Sequence, residues 1–549
     1  MHSVVDGRAM RVLSVVGWFA VCCAASAAGA RILAVLPTNT RSHYAMYGRI
    51  IDALANKQHR IHVVTHFPMK NLPNNVKQIS LAGTIPEITN NLTKEHRTLT
   101  PEFIRNLDQI MHECVLACEV VSRVPAFQDL LNSSETFDMV IVEVFGSECF
   151  LPLGRRFQAP VVGLLSSVPL PWLNDQLGNP EATAYVPAYM MGYGQRMTLW
   201  ERLSNTIAVL WAKILYKYKS QAPSQAIADR LFGVGPNLEI LAKNYSLVLS
   251  NSHFSINEVR PLVPALVEVG GLHLDNNQKL SKDLKKILDA SSEGVIYWSF
   301  GSMSRIETIP SGKLAQIFMV ISELPQTVLV KMDRKMLARN LTVPDNLYAM
   351  NWIPQYSTNS CHRNVKLFIT HGGLLGTQEA VACGVPMLAV PLYADQALNG
   401  RAMQDRGVAR VITLKEINDL LWRDALHDLL TNPKYRENAA RLKNIFLDRP
   451  MPPLEMGLYW IEYILRHGGA THLRSPVLDL NTPQQLLLDV ISLSIVLSLL
   501  IMFILHSLFR YLSTKCIKWW PNIKSIERRL FRINSLFLYL FRLNKIKTE

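Results

Sequence analysis

Residues 367–396 read LFITHGGLLGTQEAVACGVPMLAVPLYADQ. A buried strand over 367–370 leads into a sharp turn through His371-Gly372-Gly373. A helix carrying Glu379 follows, then Gly384-Val385-Pro386, a second strand over 387–391, and Asp395-Gln396. Strand, helix and strand in that order form the unit of a parallel sheet. Glycines directly after a strand let backbone approach a ligand closely. The helix that starts there aims its free N–H groups and positive dipole end at the same spot. A histidine adds one more donor. The chemistry is that of a grip on a diphosphate that needs no metal.

Working outward, strands alternate with helices on both sides of this block, so an α/β fold with parallel sheets is expected. The body, about 450 residues, is too large for one core and implies two domains. The first, 31–271, has strands predicted at 32–36, 61–65, 139–144, 161–165, 247–250 and 267–269, with a helix over 44–57. The polar, charged run 272–293 reads as a linker with one short helix. The second domain, 294–480, has strands predicted at 295–300, 327–331, 347–350, 367–370 and 387–390. An amphipathic helix over 454–467 ends it. Ligands of open parallel sheets bind beyond the carboxyl ends of the strands. His43 and Glu143 stand after or at such ends in the first half, and Ser302, Trp352, Gln355 and His371 in the second.

The combined pattern, from Trp352-Ile353-Pro354-Gln355 through His371-Gly372-Gly373 and Glu379 to Asp395-Gln396, resembles the signature of the UDP-glycosyltransferases. These enzymes move a sugar from a UDP-sugar onto small lipophilic acceptors, as in detoxification or metabolite conjugation. The resemblance implies a GT-B architecture, two Rossmann-like doubly wound domains facing a cleft. It implies that His43 is the catalytic base, since imidazole titrates near neutrality and suits removal of a hydroxyl proton. The base needs a carboxylate to fix its tautomer. The family usually has aspartate at the end of the strand that here reads FDMVIVEVF, and this chain has Glu143. On the donor side the resemblance implies Ser302, His371, Gly372, Gly373 and Gly376 around the phosphates. Trp352 would stack on the uracil and Gln355 bind the ribose or base edge. Glu379 would accept from the ribose, and Asp395 and Gln396 would hold sugar hydroxyls. Leu375 stands where many relatives have asparagine. The expected reaction is an inverting, metal-independent hexosyl transfer. No cofactor is expected, and no Asp-x-Asp occurs to hold a metal on the diphosphate. The best match is to the invertebrate branch, which tilts the donor toward UDP-glucose. UDP-glucuronic acid is the alternative, and a non-catalytic lipophile-binding membrane protein of the same fold is another.

The ends carry addresses. Arg8 and Arg11 precede an apolar run closing in Ala28-Gly29-Ala30, the pattern of a signal peptide over 1–30. Residues 490–509 are apolar over about 30 Å of helix, enough to cross a bilayer core. Residues 510–549 hold ten Lys or Arg against two Glu, most of the chain's net charge of +14. The basic balance is therefore a property of the tail and not a nucleic-acid footprint. By the positive-inside rule the tail is cytosolic and the body lumenal. The ending Lys545-Ile546-Lys547-Thr548-Glu549 matches a retrieval signal to the endoplasmic reticulum. Sequons begin at Asn91, Asn132, Asn244 and Asn340. Five cysteines fall in the expected lumenal body, an odd and sparse set that predicts no disulfide framework. Cys114 and Cys118, four apart, read as small apolar residues of a buried helix face. Acceptor identity and oligomeric state stay open.

Overall fold

The computed structural model describes residues 29–86, 102–275, 280–338, 341–353, 355–356 and 361–545. Two all-parallel sheets organise residues 29–475. The first has seven strands: β1 (Arg31–Leu36), β2 (Arg60–Thr65), β3 (Val76–Ser80), β4 (Met139–Glu143), β5 (Val161–Leu165), β6 (Tyr245–Ser250) and β7 (Leu266–Glu268), in the spatial order 3-2-1-4-5-6-7. The second has six: β8 (Val295–Ser299), β9 (Thr327–Lys331), β10 (Leu347–Met350), β11 (Val365–Thr370), β12 (Met387–Ala389) and β13 (Ala409–Val411), in the order 10-9-8-11-12-13. Central strands such as β1, β4 and β8 are apolar on both faces because helices cover both sides.

In each sheet the chain first winds outward and then returns across its first strand. That makes a switch point between β1 and β4 and another between β8 and β11. Crevices open at such points beyond the strand ends. The helix Arg41–Asn56 follows β1, and the helix Leu374–Cys383 follows β11. Two strands escaped the sequence reading. Residues 76–80 and 409–411 form edge strands, short and partly polar, without the apolar run that marks a central strand.

The amphipathic helix observed at Pro453–Arg466 packs on the first sheet, although it follows the second in sequence. Leu458, Ile461 and Ile464 join the core built by Ile32, Met46 and Leu249. Glu462 receives Lys57 at 2.8 Å.

Two cysteine expectations are corrected. Cys118 is bonded to Cys149 and Cys361 to Cys383, while among the described residues Cys114 is a free buried thiol. Partners 31 and 22 residues apart are brought together by tertiary packing, which spacing does not encode. Asn132 and Asn244 are exposed. Asn91, Asn340, the segment 1–28 and the last four residues lie outside the described residues.

Residues 476–549 form a separate unit. The helix expected to end near 509 continues without a break from Leu488 to Lys545, 58 residues and about 87 Å. It is long and apolar enough to cross a membrane and fits a single-pass membrane protein. The basic residues from Arg510 to Lys545 prolong this helix instead of forming a separate tail, because Leu, Phe and Ile recur between them.

Candidate active site

The two crevices face one another across a cleft of about 640 Å³. Thr38, His43, Phe145 and Tyr189 line one side, and Ser302, Lys331, Trp352, His371, Glu379 and Asp395 the other.

His43 lies in the first turn of the helix Arg41–Asn56, which begins three residues earlier than its sequence pattern suggested. Its Nδ1 is 2.7 Å from Glu143 Oε1. β1 and β4 are parallel neighbours, so residues a hundred positions apart meet at their common carboxyl ends. Glu143 is buried behind the ring. Its Oε2 accepts from the Thr38 N–H at 3.1 Å, and Tyr47 Oη donates to Oε1 at 3.3 Å. Phe145 meets the imidazole edge-on at 4.8 Å. With Nδ1–H given to the carboxylate, the Nε2 lone pair is the ring's proton acceptor. This arrangement can take a proton from a hydroxyl in the cleft and hold the resulting imidazolium against Glu143.

Opposite, His371 follows β11. A Cβ on Gly301 would come within 2.8 Å of its ring and one on Gly373 within 2.6 Å, so both glycines are needed to admit the imidazole. Its Nδ1 is buried without a partner. Burial, with Lys331 nearby, pushes its pKa down to about 4, so the ring is neutral at pH 7. The first intrahelical bond of Leu374–Cys383 runs from Thr377 N–H to Gly373 O, and the N–H groups of Leu374, Leu375 and Gly376 precede it. Donors of this kind suit an anion. Gly372, expected among them, does not line the cleft. Its N–H goes to Thr370 Oγ1 and its carbonyl accepts from Asn399, so it shapes the turn instead.

Gln355 donates to Glu379 Oε2 at 2.7 Å, and a Cβ on Gly376 would crowd that amide at 2.9 Å. Burial lifts the Glu379 pKa to about 8. His273 Nε2 is 3.6 Å from the other carboxyl oxygen, beyond a hydrogen bond. Trp352 is 64 % exposed at the cleft rim and carries Lys331 Nζ 5.1 Å over its ring. Asp395 starts the helix Gln396–Asp405 after Ala394, whose φ of +55° is costly for a residue with a side chain. Burial raises the Asp395 pKa to about 6, and His43 across the cleft opposes the shift. Gln396 turns its carbonyl onto the N–H groups of Leu392 and Tyr393, at 2.7 and 3.1 Å, and so fastens the Asp395 loop. Ser302 lines the cleft, exposed.

The sequence reading missed Lys331, Arg41 and His273. The signal for Lys331 was available, since it is the last residue of a predicted strand and therefore stands at the ligand end of the sheet. Arg41 looked like an ordinary loop cation and His273 like a linker residue. Among the described residues no cluster of His, Cys, Asp or Glu is placed to hold a metal ion.

A family profile described as UDP-glucoronosyl and UDP-glucosyl transferase matches residues 32–521. The chain belongs to this family. It is 34 % identical to UDP-glucosyltransferase 2 of Dactylopius coccus over 474 residues, 85 % of this chain and 90 % of that one. It is 31 % identical to UDP-glucuronosyltransferase 1-2 of Rattus norvegicus over 400 residues, 72 % and 73 % of the two chains. Among solved structures, glycosyltransferase VinC in complex with DTDP superimposes with a TM-score of 0.52 at 16 % identity, covering 80 % of this chain and all of that one. UDP-glucose: anthocyanidin 3-O-glucosyltransferase in complex with UDP gives 0.51 at 17 %, covering 79 % and 99 %. The fold of this UDP-glycosyltransferase is GT-B, and the protein is a glycosyltransferase enzyme with a UDP-sugar as donor.

Proposed function

We propose that the chain transfers a hexose, with inversion and without a metal, from a UDP-sugar to a hydroxyl of a small lipophilic acceptor. The observation that carries this reading is the His43–Glu143 contact of 2.7 Å, which faces Asp395 and the start of the helix Leu374–Cys383. His43 Nε2 takes the acceptor proton as the acceptor oxygen attacks the anomeric carbon. The bond from that carbon to the β-phosphate oxygen breaks, and UDP leaves toward His371 and the helix N–H groups. A single displacement from the face opposite UDP inverts the carbon. Fixed donors stabilise the departing charge without reorganisation. Trp352 would stack on uracil, Gln355 and Glu379 would hold the ribose, Ser302 would contact the phosphates, and Asp395 with the free amide of Gln396 would contact the sugar. Ile85, Ile110, Leu116 and Phe145 make the acceptor wall apolar, which suits a lipophilic acceptor. We assign residues 31–271 to the acceptor half and 294–480 to the donor half.

UDP-glucose is the donor we favour, in line with the insect relative's name. Lys331 and Arg41 in the cleft give UDP-glucuronic acid a specific second claim, because either cation suits a uronate carboxylate. The Lys and Arg residues beyond the apolar stretch support an endoplasmic-reticulum enzyme with a lumenal body.

Turnover of microsomes expressing the chain, given each labelled donor and a panel of phenols and steroids, decides donor and acceptor together. His43→Ala is expected to abolish transfer, by about 10³-fold or more, and to leave UDP affinity nearly unchanged. Undiminished turnover in that variant would discard the base assignment.

A further inference from the structure

His273 is a buried histidine without a hydrogen bond. Its side chain is 4 % exposed, it borders the cleft, and both ring nitrogens lack a partner. Burial pushes its pKa down to about 4, and the Leu375 backbone near the ring opposes the shift without completing a bond. At pH 7 the ring is therefore neutral, with one N–H to give and one lone pair to fill. Polar groups left unpaired in an interior are costly. Where such a group borders a cleft, a ligand can complete its bonds.

The segment that carries the ring is held from both sides. Gly271, at φ of +91°, gives its N–H to Gln378 Oε1 at 3.1 Å, and the Gln378 amide donates to the Asn251 carbonyl at 3.1 Å. Two residues past the ring, Asp275 meets Arg49 at 3.1 Å, on the helix that also holds His43. The ring is thereby set beside Glu379, with Nε2 3.6 Å from Oε1. Gln355 donates to the other oxygen, Oε2, so Oε1 is the one turned to the histidine. An N–H beside a carboxyl oxygen suits a hydroxyl, which accepts from the first and donates to the second. An anion is better served at the start of the helix Leu374–Cys383, five residues and about 7.5 Å away along the axis. In a nucleoside diphosphate, the hydroxyl-bearing group next to the phosphates is the ribose.

We propose that His273 is a ribose-reading residue on the segment joining the two halves: its Nε2–H donates to a ribose hydroxyl that in turn donates to Glu379 Oε1. This deepens the donor site proposed above and rests on the nucleotide lying there. The histidine selects a ribonucleoside diphosphate over one without ribose hydroxyls, and it takes no part in the proton transfer at His43. Its fixed segment holds the ring in place before the nucleotide arrives, so little ordering is left to be done on binding.

The test uses the full chain in detergent, titrated by calorimetry with UDP and with dideoxy-UDP, which lacks both ribose hydroxyls. The native chain is expected to prefer UDP. His273→Leu, close in volume and without a donor, is expected to lower UDP affinity about tenfold and to leave dideoxy-UDP affinity nearly unchanged, so the preference shrinks by the same factor. His273→Gln, whose amide reaches toward the Nε2 position, is expected to keep most of the preference. Should His273→Leu accumulate poorly, His273→Ala gives the same reading without added bulk. Equal losses for both nucleotides make the ring a structural one and overturn the proposal. An unchanged preference overturns it too, as does a native chain that binds both nucleotides alike. Glu379→Ala separates the two layers of the argument. A preference reduced in that variant but not in His273→Leu sinks the histidine's role and leaves the donor site standing. A preference unchanged in both sinks the ribose placement as well. A preference reduced only in His273→Leu removes Glu379 from the bridge and upholds the histidine contact.

Discussion

At the scale of single residues, the contact between His43 and Glu143 is sensitive to length. Aspartate at 143 would withdraw the carboxylate by one carbon–carbon bond, about 1.5 Å, and so lengthen a 2.7 Å contact past hydrogen-bond reach. Glu143→Asp is expected to lower kcat on the order of tenfold or more while UDP affinity, measured by calorimetry, stays put. A proportional loss of UDP affinity would mean that the change disturbed the fold instead. Glu379 offers a second residue-scale test. Its carboxyl, raised from 4.5 to about 8, keeps in the folded chain a proton that the unfolded chain releases. The stability this contributes is present in full below pH 4.5 and is lost as pH rises toward 8. Glu379→Gln removes that dependence, so the variant's Tm should gain on the native Tm between pH 5 and pH 8. A constant difference across that range would show that the carboxyl is not held neutral. His273 and His371, lowered from 6.5 to about 4, act with the opposite slope and cost stability as pH falls from 6.5 toward 4.

At the scale of elements, the turn between β11 and the helix Leu374–Cys383 is a close-packed joint. Gly372 has φ of +81°, and a Cβ there would stand 2.8 Å from the backbone oxygen of Gln396. Gly372→Ala is expected to cost about 1–3 kcal/mol of stability in denaturant unfolding and to weaken UDP binding with it, because the helix start would shift. An alanine variant with native stability would mean the turn can relax. This joint was legible before any coordinates, because its glycines and its strand–helix order both sit in one short stretch. Lys331 was legible in principle from its place at a strand end. The pairing of Cys118 with Cys149 was not, since no local pattern distinguishes it from a bond at Cys114 one turn away.

At the scale of the whole molecule, the return of the chain to its first sheet couples the two halves. Ile461 is fully buried between Leu458 and Ile464 in the core of the first sheet, although it lies fifty residues beyond β13. Ile461→Ala is expected to cost about 2–5 kcal/mol, the range for emptying a packed aliphatic site. If it unfolded with native stability, the return helix would be a loose attachment. The helix Leu488–Lys545 belongs to this scale too. Its apolar content was plain in the sequence, but its continuation beyond 509 was hidden by the basic residues that prompted a separate tail.

The sequence by itself determined the alternating elements, the parallel sheets, the diphosphate grip at 371–376 and the apolar helix, because each is written in neighbouring residues through periodicity, glycine placement or run length. Only the tertiary structure decided which cysteines bond, that His273 enters the cleft, and that the helix Pro453–Arg466 packs on the first sheet. Those outcomes depend on which strand ends and helix faces become neighbours across long stretches of chain. Local sequence sets the shape of an element, whereas its partners are chosen by the burial of the whole.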